Sequence, residues 1–367
     1  EGFNGFRDHL AEKGYTPEWA EGICGIDAER IKRLAREFAT TKPAMSAIFK
    51  GSGYYTNGHD AGRACYILDA ICGEVDKPGN INLKDWAPLG APVEIPADAI
   101  KQPEKDPLHV AMGYPLAPDL PNSKLPEAVI DGKPYPVKAW FVHATNPVMS
   151  DPNRERVQEM FKHLELAVSM ELYMSETSLE CDIVLPETSF HEQAEIRQGM
   201  WLGPEVILCQ PVVEPVGEAK PAYEIVKGIA EKMGWGQHFP YEKWEDWGEV
   251  AMKDVPMSLD ELKEKGFWAG EVRFNRVPDG LPTPSGKIEI YSKDYENAGL
   301  NPYPDFVERS VKPDEEYPLQ VTHSKFSMHC NIVTQNNPYL MEICGENWVE
   351  VNSVDAAKFG IRDGEMC

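Results

Sequence analysis

In CDIVLPETSFHEQAEIRQG (Cys181–Gly199) a strand-like run, Asp182-Ile-Val-Leu185, stops at Pro186 and gives way to Glu187, His191, Glu192, Gln193, Glu195 and Arg197. Those residue types exchange protons and hydrogen bonds. Glu187, Glu192 and Glu195 are in principle enough for an acid/base pair, although a solvated turn is the commoner meaning of such a loop. The other reading is a sheet edge that presents polar groups to a large ligand. Gly51-x-Gly53 suits a phosphate only if it follows a strand and opens a helix; otherwise it is an ordinary turn. His323 and His329, with Cys330 beside them, fit no zinc spacing. The stretch HSKFSMHCNIVTQNNPYL is denser: Ser324, Lys325, His329, Asn331, Thr334, Gln335 and Asn336 fall within a few turns of chain. Donors at that density suit a large ligand carrying phosphate and a polar heterocycle.

The elements around these residues decide which of them share an edge. Thr16-Pro17-Glu18 opens a helix with proline in its first turn. Asp27 caps a second, with Ile31, Leu34, Ala35 and Phe38 at helical spacing. AMSAIF reads as a buried strand, Gly51 and Gly53 as a tight loop, and a helix follows with Ala61, Ala64, Cys65, Leu68, Ile71 and Cys72 on one face. Residues 85–135 are proline-rich and aperiodic, an irregular excursion of the length that is usually functional or wrapped on a neighbour. KAWFVHA, ELAVSM and DIVLP then read as strands, with Asn146-Pro147 turning the chain and DPNRERVQEMFKHL forming a helix between the first two. Strands alternating with short helices imply a parallel sheet, and their apolar runs imply burial on both faces. In such sheets ligands lie beyond the carboxyl ends of the strands. Asn146, Met170, Glu171, Ser175 and the loop after Leu185 all fall at those ends, so the polar loop belongs to a shared rim. PAYEIVKGIAEKMGW is a helix with Ile225, Ile229 and Met233 inward, the aromatic FPYEKWEDW covers something apolar, and TPSGKIEIYS turns into a strand. Beyond Tyr317 the texture becomes β-rich.

The totals bound the rest. With 367 residues, 42% hydrophobic and 26% charged, the chain has room for two or three domains with substantial cores. Its apolar runs break within about ten residues, too short for a membrane-spanning helix. A net charge of −24 disfavours nucleic acid and anionic membranes. The eight cysteines include no C-x-x-C pair, which argues against a zinc ribbon or an iron–sulfur cluster held by this segment. Their apolar surroundings point to buried free thiols. Residue 1 is Glu with no signal peptide after it. The last stretch has Ser353 as N-cap, Gly360 at the helix end and a strand barely begun after Asp363-Gly364. The expectation is an internal piece of a longer protein.

Eight stretches in order resemble the catalytic subunit of the molybdopterin oxidoreductases, the dimethyl-sulfoxide-reductase superfamily. Among them are GSGYYTNG with LDAICGEVDKPG, FVHATNPVMSDPN, MELYMSETSLECDIVLPETSFHEQ, TPSGKIEIYS and YPLQVTHSKFSMHCNIVTQNNPYL. PETSFHEQAEIR and TQNNPYL look most like the thiosulfate, polysulfide and arsenate reductase branch. The resemblance implies an α/β fold with Rossmann-like parallel-sheet domains and a C-terminal β-barrel. Residues 1–84 would end one Rossmann-like domain, 136–312 would form the second half of another, and 313–367 would start the barrel that binds the pterin dinucleotide. It implies molybdenum or tungsten held by two molybdopterin guanine dinucleotides. A 4Fe-4S cluster and the metal-ligating side chain would lie upstream, so no metal ligand is expected here; the catalytic residues are left open, and the segment alone is expected to be inactive.

Carried over by motif, the expected cofactor-binding residues are Lys50, Gly51, Gly53 and Tyr54, then Asn146, Met170, Glu171 and Gln193, and, from the barrel segment, Thr322, His323, Ser324, Lys325 and His329. Glu171 is expected to accept hydrogen bonds from a guanine N1–H and 2-amino group. Asn80 in DKPGN stands where many relatives have a second glycine, and THSK replaces the common Thr-x-Arg. The resemblance further implies reduction of a sulfur or arsenic oxyanion or polysulfide in anaerobic respiration, with a local basic funnel to draw an anion into so acidic a protein. The implied partners are an iron–sulfur electron-transfer subunit and a membrane-anchor subunit, and the implied location is the periplasm. The competing readings are a non-redox tungsten hydratase relative and a cofactor-free scaffold homologue.

Overall fold

The computed structural model describes residues 2–53, 55–93, 106–200 and 203–366. It divides into two compact units, residues 1–311 and 312–367.

The first unit begins with helices α1 (Gly2–Lys13), α2 (Pro17–Cys24) and α3 (Ala28–Thr40). Thr16 Oγ1 accepts the Trp19 amide at 3.2 Å and Asp27 Oδ1 accepts the Arg30 amide at 3.0 Å, the side-chain caps that start α2 and α3. Gly25 ends α2 at φ 71°, the left-handed cap that glycine adopts without steric cost. The spacing in α3 does not produce a buried face: Leu34 is 63% exposed, and Ala28 is the helix's buried residue.

AMSAIF forms no strand. Its backbone amides bond to side chains instead: Ser46 N to Asp69 Oδ1 at 2.9 Å and Ala44 N to Glu74 Oε2 at 3.5 Å. Lys50–Gly53 is a single helical turn, α4, rather than an open glycine loop, and it packs against α5 (Gly58–Ile71). The buried residues of α5 are Gly58, Ile67 and Asp69, on no single face, and not Ala61, Ala64 and Ile71. A carboxylate at 0% exposure overrides the apolar count because it has partners, the Ser46 amide and hydroxyl. Asn80 serves the same junction, donating to Ala44 O at 2.7 Å and Glu74 Oε2 at 2.9 Å.

The stretch 85–135 is not wholly irregular: it holds α6 (Leu108–Ala111) and α7 (Leu125–Ile130), the latter burying Pro126, Ala128 and Val129. Strands β1 (Ala139–His143), β2 (Leu166–Glu171) and β3 (Ile183–Pro186) then form a parallel sheet in the order β1-β2-β3, with α8 (Pro147–Ser150) and α9 (Arg154–Phe161) between the first two. Only the central strand is buried on both faces. Ala167, Val168, Ser169 and Met170 are all buried, whereas Phe141 on β1 is 50% and Ile183 on β3 is 46% exposed. Val129, Val148, Val157, Met160, Phe161 and Ala167 form the core under one face.

A second sheet is antiparallel: β4 (Glu195–Gln198), β5 (Glu205–Cys209) and β6 (Phe267–Ala269) in that order. It packs on α11 (Trp244–Met252) and α12 (Leu259–Lys265) through Val206, Leu208, Met252, Leu259 and Leu262, with Trp244 against the same cluster. Burying one such leucine is worth about 1.5–3 kcal/mol. Between β5 and β6 in sequence runs α10 (Ala222–Lys232), where Ile225 and Ile229 are partly buried but Met233, beyond the helix, is 55% exposed. TPSGKIEIYS makes the turn but no strand, and α13 (Lys293–Asn297) follows.

The second unit contains α14 (Pro338–Ile343) and α15 (Ser353–Phe359), and no strand among its described residues. The β-rich run expected after Tyr317 forms no strand among the described residues of the unit. The cap of α15 is Asn352, whose side chain accepts the Val354 amide at 2.9 Å, rather than Ser353. No disulfide joins the described cysteines, and none is fully buried: Cys24 and Cys330 are exposed and the rest partly so. No described helix is long and apolar enough to cross a membrane.

Candidate functional site

The carboxyl ends of β1, β2 and β3 lie side by side, because His143 pairs with Met170 and Glu171 with Pro186 in the parallel register. Ala144 leaves β1 at φ 51°, a backbone conformation unusual for a residue with a side chain, and its amide points to Met170 O at 3.5 Å. The rim therefore gathers His143, Asn146, Glu171 and Glu187 from segments far apart in sequence.

His143 Nε2 lies 2.9 Å from Glu187 Oε2; the histidine side chain is 48% exposed and the carboxylate 11%. No ligand motif in the sequence singles out either residue as a cofactor contact, and the pair bridges 44 positions. Only the alignment of strand ends signals it. Glu171 accepts its neighbour's amide, Leu172 N, on Oε1 at 2.8 Å, and its other oxygen has no donor among the described residues. Glu192 is committed to the loop: Ser189 N and Val216 N donate to its two oxygens at 2.7 Å each, and these backbone donors hold its carboxyl below the usual range. Gln193 is likewise internal, accepting from Thr188 Oγ1 at 3.0 Å and donating to Glu195 Oε1 at 3.0 Å. Glu195 is held by Arg197 and opens β4, so the polar run after Pro186 is part loop and part strand. Met170 is 6% exposed and serves the sheet's packing.

Asn146 ends β1's connection as the N-cap of α8, yet its side chain makes no cap bond. Its Oδ1 accepts from Thr177 N at 3.2 Å and Thr177 Oγ1 at 2.7 Å, and its Nδ2 donates to Glu176 Oε2 at 2.8 Å. That bond, with help from Glu176's own backbone amide, keeps the Glu176 carboxyl below its ordinary value. Thr177 Oγ1 in turn accepts the Val148 amide at 3.1 Å. The following loop is pinned by a hydroxyl chain, Ser169 to Ser178 at 2.9 Å and Ser178 to Ser175 at 3.0 Å. Burial pushes the nearby Cys181 thiol up to about 11, so it stays protonated there.

The remaining candidates lie elsewhere. Lys50 and Gly53 are exposed on α4, with Gly51 in the same turn. Tyr54 lies outside the described residues. Thr322, His323, Ser324 and Lys325 belong to the second unit and are exposed there. His329 is partly buried, with Nε2 2.7 Å from Cys344 O and Nδ1 3.2 Å from Thr334 Oγ1, both within that unit. No cluster of three or more potential metal ligands occurs among the described residues. A cleft of about 350 Å³ lined by Met252, Val255, Pro256 and Leu259 lies by the antiparallel sheet and includes none of the candidates.

The geometry suits recognition more than bond-making: carboxylates at a sheet rim, backed by a rigid polar loop, match N–H donors of a heterocycle. Residues 31–232 match the sequence profile described as molybdopterin oxidoreductase. The chain is 28% identical to the thiosulfate reductase molybdopterin-containing subunit PhsA of Salmonella typhimurium, over 97% of this chain and 52% of that protein. It is 28% identical to the F420-dependent formate dehydrogenase subunit alpha of Methanocaldococcus jannaschii, over 100% of this chain and 55% of the relative. The solved structure of acetylene hydratase from Pelobacter acetylenicus superposes with a TM-score of 0.82 at 25% identity, covering 99% of this chain and 55% of that one. The chain thus spans about half the length of the relatives it matches, and its mixed α/β architecture with a parallel sheet matches the acetylene hydratase fold.

Proposed function

The chain belongs to the molybdopterin oxidoreductase family, and from that premise we propose that it forms part of the catalytic subunit of a bis-molybdopterin guanine dinucleotide enzyme. The observation that carries this is the rim at the ends of β1–β3, where Glu171 and the His143–Glu187 pair stand together. The donor set fits the nucleotide end of such a cofactor. A guanine base offers an N1–H and a 2-amino group along one edge, and a carboxylate with an uncommitted oxygen is the natural acceptor. Glu171 would take that edge, with His143 and Glu187 beside it and the loop 172–182 as a wall. Lys50 on α4 would supply a cation for pyrophosphate, and Lys325 would do the same within its own unit. When bound, the molybdenum or tungsten pterin supplies two-electron oxygen- or sulfur-atom transfer. The residues of this chain bind it and keep its nucleotide in register.

The substrate proposed is a sulfur or arsenic oxyanion or polysulfide, supported by PETSFHEQAEIR and TQNNPYL and by the 28% identity to the thiosulfate reductase subunit. An iron–sulfur electron-transfer subunit, a 4Fe-4S cluster, a membrane-anchor subunit and a periplasmic site complete the proposal. A tungsten hydratase activity is the second reading, favoured by the TM-score of 0.82 to acetylene hydratase.

The test uses the full-length protein from the native gene. Elemental mass spectrometry and acid release of nucleotide should find molybdenum or tungsten with about two guanine nucleotides per metal and about four irons. Turnover of thiosulfate, polysulfide or arsenate with a reduced dye then identifies the substrate, whereas hydration of acetylene without added reductant supports the second reading. Protein free of metal and nucleotide overturns both and leaves the scaffold reading.

A further inference from the structure

We infer that Asn146 is a positioning residue of the rim and not a ligand: its carboxamide, through Thr177 and Glu176, locks the loop after β2 against the end of β1. The inference rests on the reading of the rim as a nucleotide site. An asparagine at an N-cap ordinarily turns its oxygen back to the first amides of its own helix. Asn146 does not. Thr177 Oγ1 takes that place by accepting from Val148 N at 3.1 Å, and donates its own O–H to Asn146 Oδ1 at 2.7 Å. The same Oδ1 receives Thr177 N at 3.2 Å, which uses both of its lone pairs. Nδ2 spends one N–H on Glu176 Oε2 at 2.8 Å. One N–H of the amide is left, against three contacts already made within the protein.

The placement gives the clamp its purpose. Thr177 is at 0% exposure and Ser178 at 1%, so the loop is held inside the protein at its far end while its near end starts at Glu171. The Ser169–Ser178–Ser175 hydroxyl chain ties the same loop to β2 itself. Asn146 adds the tie to β1. The width of the crevice between β1 and β2, and with it the direction of Glu171, then depends on a side chain that touches no ligand. A glutamate and an asparagine can exchange donor and acceptor roles across one contact, which makes the arrangement testable by a reciprocal swap.

In the full-length protein, Asn146→Asp keeps an acceptor for Thr177 but sets a second carboxylate against Glu176. Guanine nucleotide release, measured on folded protein after mild unloading, should then be faster by about tenfold or more, the effect of losing a hydrogen bond to a charged group. Adding Glu176→Gln restores a donor to the contact, and the N146D/E176Q pair should return to within about threefold of wild type. Glu176→Gln alone retains an acceptor by rotating its amide and should behave as wild type. Thr177→Val is the independent check: it removes the two hydroxyl bonds of the clamp but leaves the Asn146 carboxamide with its Thr177 amide and Glu176 contacts, so release should accelerate as in Asn146→Asp.

A double variant no better than Asn146→Asp, together with a Thr177→Val protein that holds nucleotide like wild type, would overturn the inference and make Asn146 a direct ligand. Wild-type protein without nucleotide refutes the proposed function instead. In that event amide hydrogen exchange at Val148 and Thr177 decides on the clamp alone. It should be about tenfold faster in Asn146→Asp and restored in the double variant; no change in the single variant overturns the clamp.

Discussion

Two polar junctions of the first unit differ in charge and in reach. At the first, Asp76 is fully buried at φ 58° and takes Arg276 Nη2 at 2.9 Å and Nε at 3.2 Å, with the amides of Leu83 at 3.1 Å and Arg276 at 2.7 Å. Arg276 Nη1 also meets Asp85 at 2.8 Å, and Arg273 grips Asp85 through two nitrogens at 2.9 Å each. Burial opposes the charge on Asp76, but Arg276 and these amides outweigh it and hold the carboxyl below its usual range. At the second, Asn146 and Thr177 are neutral and 31 positions apart, against the 200 that separate Asp76 from Arg276. The charged junction closes a long loop and buries an ion that is costly to leave alone. The second, whose one carboxylate, Glu176, meets an amide and no cation among the described residues, shapes the rim proposed to take a ligand. Fold and site are thus held by different chemistry.

The comparison breaks first on Asp76→Ala. Removing one partner of a buried pair should cost about 3–5 kcal/mol, read as a lowered midpoint of denaturant unfolding; a loss no larger than that of Thr177→Val would erase the distinction. Next is Asp305, a tie between the N-terminal helices and residues 301–306. Burial disfavours its charge, but the Lys13 ammonium at 2.8 Å and the Tyr15 hydroxyl overcome this and hold the carboxyl at about 2, against an ordinary 3.8. A depressed folded-state value means the stabilisation is full above the ordinary value and is lost as pH falls through about 2. Stability should therefore drop by about 2 kcal/mol between pH ~5 and ~2 on this account, and Asp305→Asn should flatten the acid limb. A curve unchanged by that substitution refutes the tie.

Thr177→Val sharpens the comparison from the other side. It removes a helix cap without changing volume and should cost about 1 kcal/mol, at most about 2, in thermal unfolding, while affecting nucleotide retention far more than Asp76 variants that remain folded. The smallest effect is expected at Lys138–Glu165, a 2.6 Å pair at the entrance to the parallel sheet with both side chains well exposed, at 63% and 67%. Lys138→Met should leave the unfolding midpoint unmoved, because exposed pairs are screened by water and salt. A clear loss there would mean that charge at the sheet's other edge matters as much as at the rim.

Much of the local structure was legible. Thr16 and Asp27 cap where their side chains can reach the third amide, and the three runs ending at His143, Glu171 and Pro186 are parallel strands in one register. What escaped has a common cause. Residues 44–49 and 287–291 have strand composition, yet a strand exists only where another backbone meets it. The amides of Ala44 and Ser46 found Glu74 and Asp69 instead. Conversely Glu195–Gln198 looks like solvated loop and becomes β4 because Glu205–Cys209 pairs with it. Gln193 has the chemistry of a ligand but spends both ends of its amide on Thr188 and Glu195.

By itself the sequence determined the parts whose cause lies within a few residues: helix caps, the alternation of strand and helix that makes a parallel sheet, and the polar character of the loops after each strand. Spacing alone also placed Asn146, Glu171 and Glu187 at strand ends. Tertiary structure alone decided which partner each polar group takes. It set His143 against Glu187 across 44 positions and Arg276 against Asp76 across 200, and turned Asn146 inward to Thr177. The reason is energetic. A buried donor or acceptor must be satisfied, but the chain does not specify by whom until the strands and loops have brought the candidates within about 3 Å.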